Sequence, residues 1–167
     1  MRRFERVTSV GGFTLMEILM VLVVAAIVAV IVLPRMENDP LLVATQAEQL
    51  AGDIRYVQSL SMSQGQRYLL RVLSSTTYEL EVKGGAQIPH PTGVPSPITL
   101  GSAVTMSAVP TTASCPSGCI GFDGQGIPYS DLTVSTALAS AATITLTGNS
   151  TTRIITVSPE TGRVLVQ

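Results

Sequence analysis

Gly11-Gly12-Phe13-Thr14-Leu15-Met16-Glu17 joins a short basic leader to a long apolar run, and its reading decides the fold. Arg2, Arg3 and Arg6 precede it, opposed only by Glu5, and from Phe13 to Leu33 there are 21 residues with Glu17 as the sole charge. A bilayer-spanning helix needs about 20 apolar residues, so 13–33 is expected to span a membrane, with the basic side cytoplasmic and the rest facing outward. In an ordinary secretory signal the apolar core lies upstream of the small-residue cut site and is lost with it. Here the order is reversed, and a cut after Gly12 removes the leader while keeping the helix. A carboxylate inside such a helix costs on the order of a few kcal/mol near the bilayer centre, which makes Glu17 a functional candidate, the alternative being a Glu near the interface that snorkels to water. It lies one helical turn after Phe13, so a new N-terminal amine at Phe13 could pair with it, within the chain or in a neighbour.

These residues resemble the class III signal of type IV pilins and type II secretion pseudopilins. That pattern is a basic leader ending in Gly, then Phe, Thr, Leu, one residue, Glu and an apolar helix. Gly12, Phe13, Thr14, Leu15 and Glu17 match it position by position. The resemblance implies that a membrane prepilin peptidase cuts between Gly12 and Phe13 and N-methylates Phe13. It also implies that Glu17 docks the subunit into a growing filament.

Beyond the apolar run, Pro34 is expected to kink or loosen the helix, with Asn38, Asp39 and Pro40 as a second weak point. Helical periodicity resumes from Leu41 to about Ser63, with Ala47, Leu50, Ile54, Val57 and Ser61 on one face. Glu48, Asp53, Arg55 and Gln58 are expected on the other sides. The stripe is expected to pack on the protein's own sheet, and Gly65 to stop the helix. From Gln66 the period changes to two. Tyr68–Leu73 and Tyr78–Val82 read as a hairpin. Residues 84–97, with Pro89, Pro91, Pro95 and Pro97, read as a surface loop. Further strands are expected at Ile98–Leu100, Val104–Val109, Ile120–Phe122, Leu132–Leu138, Thr143–Thr147, Arg153–Val157 and Arg163–Val166. The expected fold is α+β: a long N-terminal helix on an antiparallel, sandwich-like β domain. Its parts are a cleaved leader (1–12), a helix (13–64, its halves 13–33 and 34–64) and a β-rich domain (65–167).

The series around Phe122-Asp123-Gly124-Gln125-Gly126-Ile127-Pro128, Arg153–Ser158 and Glu160-Thr161-Gly162-Arg163-Val164 looks like the GspH/FimT group of minor pseudopilins and minor pilins. Ile54–Gly65 resembles that group's helix end, so the resemblance covers most of the chain. It leaves two tasks open. One is a minor pseudopilin of the type II secretion pseudopilus, acting in protein export across the outer membrane. The other is a FimT-like minor type IV pilin, in pilus assembly, adhesion or DNA uptake. The implied partners are the prepilin peptidase, other pilins or pseudopilins and an inner-membrane assembly platform. The implied location is the bacterial inner membrane, single-pass, with the C-terminal domain in the periplasm.

Composition disfavours other classes. Without residues 1–12 the chain has seven Lys+Arg against ten Asp+Glu, a net of −3, which argues against a general nucleic-acid binder. Weak DNA contact would fall to Arg163 and the other nearby cation, Arg153. The group's DNA-binding pattern has a second Arg two residues after the turn Arg, where this chain has Leu165. Cys115 and Cys119, the only cysteines, would face an oxidising compartment, and a disulfide is favoured over free thiols. A zinc site is disfavoured, because only His90 could add an imidazole, and His90 itself reads as a solvated loop residue. The single His supplies no spaced triad, Asp123 and Asp131 make no recognisable metal loop, and P-loop spacing is missing. A structural subunit with no cofactor is expected rather than an enzyme.

Overall fold

The computed structural model describes residues 13–36, 40–107, 109–148 and 150–167, in two compact units, Met1–Asn38 and Asp39–Gln167. The leader with Gly12, and the weak point at Asn38 and Asp39, lie outside the described residues. In the first unit, α1 (Leu15–Met36) begins directly after Thr14. The Glu17 N–H donates to Thr14 Oγ1 at 3.2 Å, so Thr14 caps the helix. Every described side chain from Phe13 to Ala29 is exposed. Among the described residues, no helix is long and apolar enough to cross a membrane. The span expected over 13–33 runs on into side chains outside the described set, as does the ring of Pro34.

The second unit opens with α2 (Pro40–Gln64). Val43, Ala47, Leu50, Ala51, Ile54 and Val57 recur at helical spacing and are all buried. The helix stops at Gly65, whose φ of 63° is a left-handed conformation that glycine adopts without strain. The Ser61 hydroxyl, buried on the same face, donates to Val57 O at 2.9 Å and accepts the Tyr68 N–H at 3.3 Å, so its polarity is satisfied.

Two antiparallel sheets follow. In the first, β1 (Tyr68–Ser74) and β2 (Thr77–Val82) form the expected hairpin, with Tyr68 opposite Val82. Two short strands, β3 (Ala86–Gln87) and β4 (Ile98–Thr99), share the outer edge of β2. On the other side of β1 lie β6 (Cys119–Phe122) and then β7 (Pro128–Tyr129). The second sheet runs β10 (Val164–Val166), β9 (Thr151–Val157), β8 (Ala142–Gly148), β5 (Thr105–Ser107). α2 packs against strands of both sheets. The core joins its stripe to Tyr68, Leu70, Val72, Tyr78 and Leu80 of the first sheet and to Ile144, Leu146, Ile155 and Val157 of the second. Alternation sends Leu69 to the opposite face, where Cys115, Cys119 and Val134 make a smaller core with it.

One expected strand, Leu132–Leu138, is a loop. Its apolar alternation loses to Asp131. That buried carboxylate accepts the Ser135 and Thr136 N–H groups at 2.8 Å each, together with the Thr133 and Ser135 hydroxyls. An aspartate that satisfies the following backbone folds it into a turn rather than a ladder. Burial pushes the Asp131 carboxyl up, but the bonds from Thr133, Thr136 and Ser135 outweigh it and hold the group well below the usual carboxylate range.

Candidate functional site

At the head of α1, Phe13 and Glu17 lie side by side and line one groove with Ile18, Val21 and Leu22. Phe13 is 78% exposed, and Leu15, Met16, Ile18, Leu19 and Met20 are each more than half exposed. Apolar surface left in water costs about 25 cal/mol per Å², so this helix calls for lipid or other helices around it. The geometry adds a role that sequence reading missed. Thr14-x-x-Glu17 is capping-box spacing, and the observed half of that box uses the Glu17 backbone N–H. The Glu17 carboxylate carries no intrachain bond among the described contacts.

At the far end of α2, Gln58 draws the two glycine turns together. Its Nε2 donates to Gly126 O at 3.1 Å and to Thr161 O at 3.0 Å. Gly162 sits where they meet, with φ 62°. A Cβ there would lie 2.7 Å from Gly126 O and 2.8 Å from Phe122. Arg55 Nη2 donates to Val164 O at 3.1 Å, fixing β10 to the same helix. These turns are therefore built into the fold. Arg163 is exposed beside them, and its carbonyl accepts the Ser158 N–H at 3.0 Å. Arg153 pairs with Leu146 at the other end of β9, five residues or about 17 Å along the strand. The structure does not bring the two arginines together, and that separation makes no single phosphate cradle.

Cys115 and Cys119 are both buried and not joined by a disulfide, and they share one small apolar cluster with Leu69 and Val134. Burial pushes both thiols up, Cys119 further because Cys115 adds to the effect, so neither is a reactive thiolate. Nearby on the same sheet face, Arg71 Nη1 lies 3.6 Å from Glu79 and 3.3 Å from Glu81. One cation serves two buried carboxylates, and burial together with Glu79 raises the Glu81 pKa. Among the described residues, no three His, Cys, Asp or Glu side chains converge as a metal site.

His90 is a correction. It is only 8% exposed rather than solvated, because its Nε2 reaches Asp53 Oδ1 at 2.7 Å. Asp53, expected on an outer side of α2, is 5% exposed and also accepts the Tyr78 O–H at 2.5 Å. A signal was present in the spacing: Asp53 follows Leu50 by three and precedes Val57 by four, which places it on the buried stripe.

The family model of the type II transport protein GspH matches residues 46–162. No curated protein matches the chain in sequence. Among solved structures the fold is similar to the type IV minor pilin FimU of Pseudomonas aeruginosa strain PAO1. One crystal form gives 18% identity over 74% of this chain and 91% of that chain, with a TM-score of 0.50. A second gives 14% identity over 75% and 87%, with a TM-score of 0.49. The matched segment takes in most of α2, the first sheet, β5, β8 and β9 of the second and the two turns that Gln58 joins, and the chain belongs to the GspH family of type II transport proteins.

Proposed function

We propose that this chain is a minor pseudopilin, a structural subunit of the type II secretion pseudopilus that takes part in export across the outer membrane. The observation that carries the reading is the exposed apolar helix with Glu17 in its first turn, joined to a domain of the GspH family. Residues 13–33 hold the subunit in the inner membrane, leader side in the cytoplasm and β domain in the periplasm. The prepilin peptidase cuts between Gly12 and Phe13 and methylates the new amine. During assembly α1 leaves the bilayer for a bundle of neighbouring helices. Lipid is as apolar as those helices, so packing and specific polar pairs must drive the transfer. The Glu17 carboxylate, with no intrachain bond among the described residues, compensates the Phe13 amine of a neighbour. In the periplasm Cys115 and Cys119 close into a disulfide, and the intact mass of the purified protein should be lower by two hydrogens than after reduction. An unchanged mass on reduction would leave them a buried thiol pair.

The test is the culture-medium proteome of a strain lacking this gene, compared with its parent. Loss of a set of exoproteins with surface pili intact is expected. Unchanged secretion would overturn the export role and leave the minor type IV pilin reading, with DNA uptake and attachment as its assays.

A further inference from the structure

The middle of the proline-rich loop between β3 and β4 is anchored by a buried histidine. His90 is the only histidine of the chain, and it is buried while Pro89, Pro91 and Thr92 around it are exposed. Its Nδ1 lies 2.7 Å from Thr92 Oγ1 and accepts the Thr92 backbone N–H at 3.3 Å. A backbone amide only donates, so Nδ1 holds a lone pair and the ring hydrogen sits on Nε2, where Asp53 accepts it. The other Asp53 oxygen accepts the Tyr78 phenol. Burial, and then the Asp53 charge, push the Tyr78 pKa far up, so this group stays a donor. Every bond in the network thus has a direction. Both Asp53 oxygens are occupied by neutral donors, and the open proton acceptor is Nδ1, beside the exposed Thr92.

We propose that His90 is a proton-operated latch on this loop. Neutral, it fastens the turn from His90 to Gly93, which is closed by the Gly93 N–H on His90 O at 3.0 Å. A proton from solvent on Nδ1 makes that nitrogen a donor. The Thr92 hydroxyl then switches from donor to acceptor, and the Thr92 amide is released, since two N–H groups cannot bond each other. The Nε2–Asp53 contact strengthens at the same moment, because it becomes a pair of opposite charges away from water. Acid therefore remodels the exposed stretch Pro91–Val94 without pulling the ring off α2. Among the described residues, the titratable groups bonded to the imidazole are Asp53 from α2 and, through it, Tyr78 from β2. No lysine or arginine is bonded to it among the described residues.

The test is a pH titration of the full chain in detergent micelles, followed by nitrogen and amide NMR. The single imidazole makes its signals unambiguous. The Nε2–H tautomer is expected at neutral pH, and the Thr92 and Gly93 amides should shift with the midpoint of the ring. In His90→Gln those two amides should stay still over that range. An Nδ1–H tautomer at neutral pH, or amides that do not follow the ring, would overturn the latch. Should His90→Gln fail to fold, the tautomer and the co-titration in the unsubstituted chain decide the question alone.

Discussion

Glu17 serves α1 through its backbone and, in the proposed assembly, a neighbour through its side chain. The two roles separate by substitution, because Glu17→Val keeps the N–H that Thr14 accepts. Cleavage of that variant after Gly12 should stay complete. A hydrogen bond to a charged group is worth about 1.5–3 kcal/mol, so its incorporation into filaments should fall roughly tenfold or more. Immunoblots of sheared or cross-linked filaments would read this, and normal incorporation would remove the docking role. Asp131 acts within its own loop. Asp131→Ala leaves the Ser135 and Thr136 N–H groups without their acceptor and should cost about 2–3 kcal/mol at neutral pH. The folded pKa of Asp131 lies below the unfolded one. Its stabilisation is therefore complete above the ordinary carboxylate range and is lost as pH falls through that range to the folded value. Unfolding curves of both chains should accordingly converge in acid, and a deficit independent of pH would contradict the assignment. The sequence marks Glu17 because a charge stands out in an apolar run. The place of His90 was not legible there, because its burial depends on a contact with a residue 37 positions away, whereas the spacing of Asp53 from Leu50 and Val57 already placed it on the buried stripe.

The hairpin and most strands of the second sheet were legible, since inward and outward residues alternate along them. The two-residue strands β3 and β7 were not, because so short a run carries no period. The loop at 132–138 shows local hydrogen bonding overriding an apolar pattern. Gln58 shows the reverse situation, a polar residue on a helix that organises structure far along the chain. Gly162→Ala would force an L-residue to φ 62° against Gly126 O. A left-handed non-glycine residue costs about 1–2 kcal/mol, and the close contact adds to it. Thermal unfolding should show about 2 kcal/mol or more of destabilisation. Gln58→Ala should give a smaller loss, about 1–2 kcal/mol from two carbonyls left unpaired. Equal stability of Gly162→Ala and the parent would mean that the two turns are not held together as described.

For the molecule as a whole, the α+β class and the helix-on-sheet plan followed from the change of period near Gln66. Strand order did not, because β6 returns to β1 across a long stretch of chain and register is a long-range property. The two units divide the work: the domain from Asp39 buries its own core, whereas α1 exposes nearly pure apolar surface. A domain that is already satisfied and a helix that is not together suit a subunit whose helix is meant for other surroundings. Everything in the assembly account depends on how the chain begins once it is mature. The most direct measurement is mass spectrometry of the N-terminal peptide of the protein extracted from cell membranes. The account predicts a chain starting at N-methylated Phe13. A chain that still carries the leader from Met1 would contradict it.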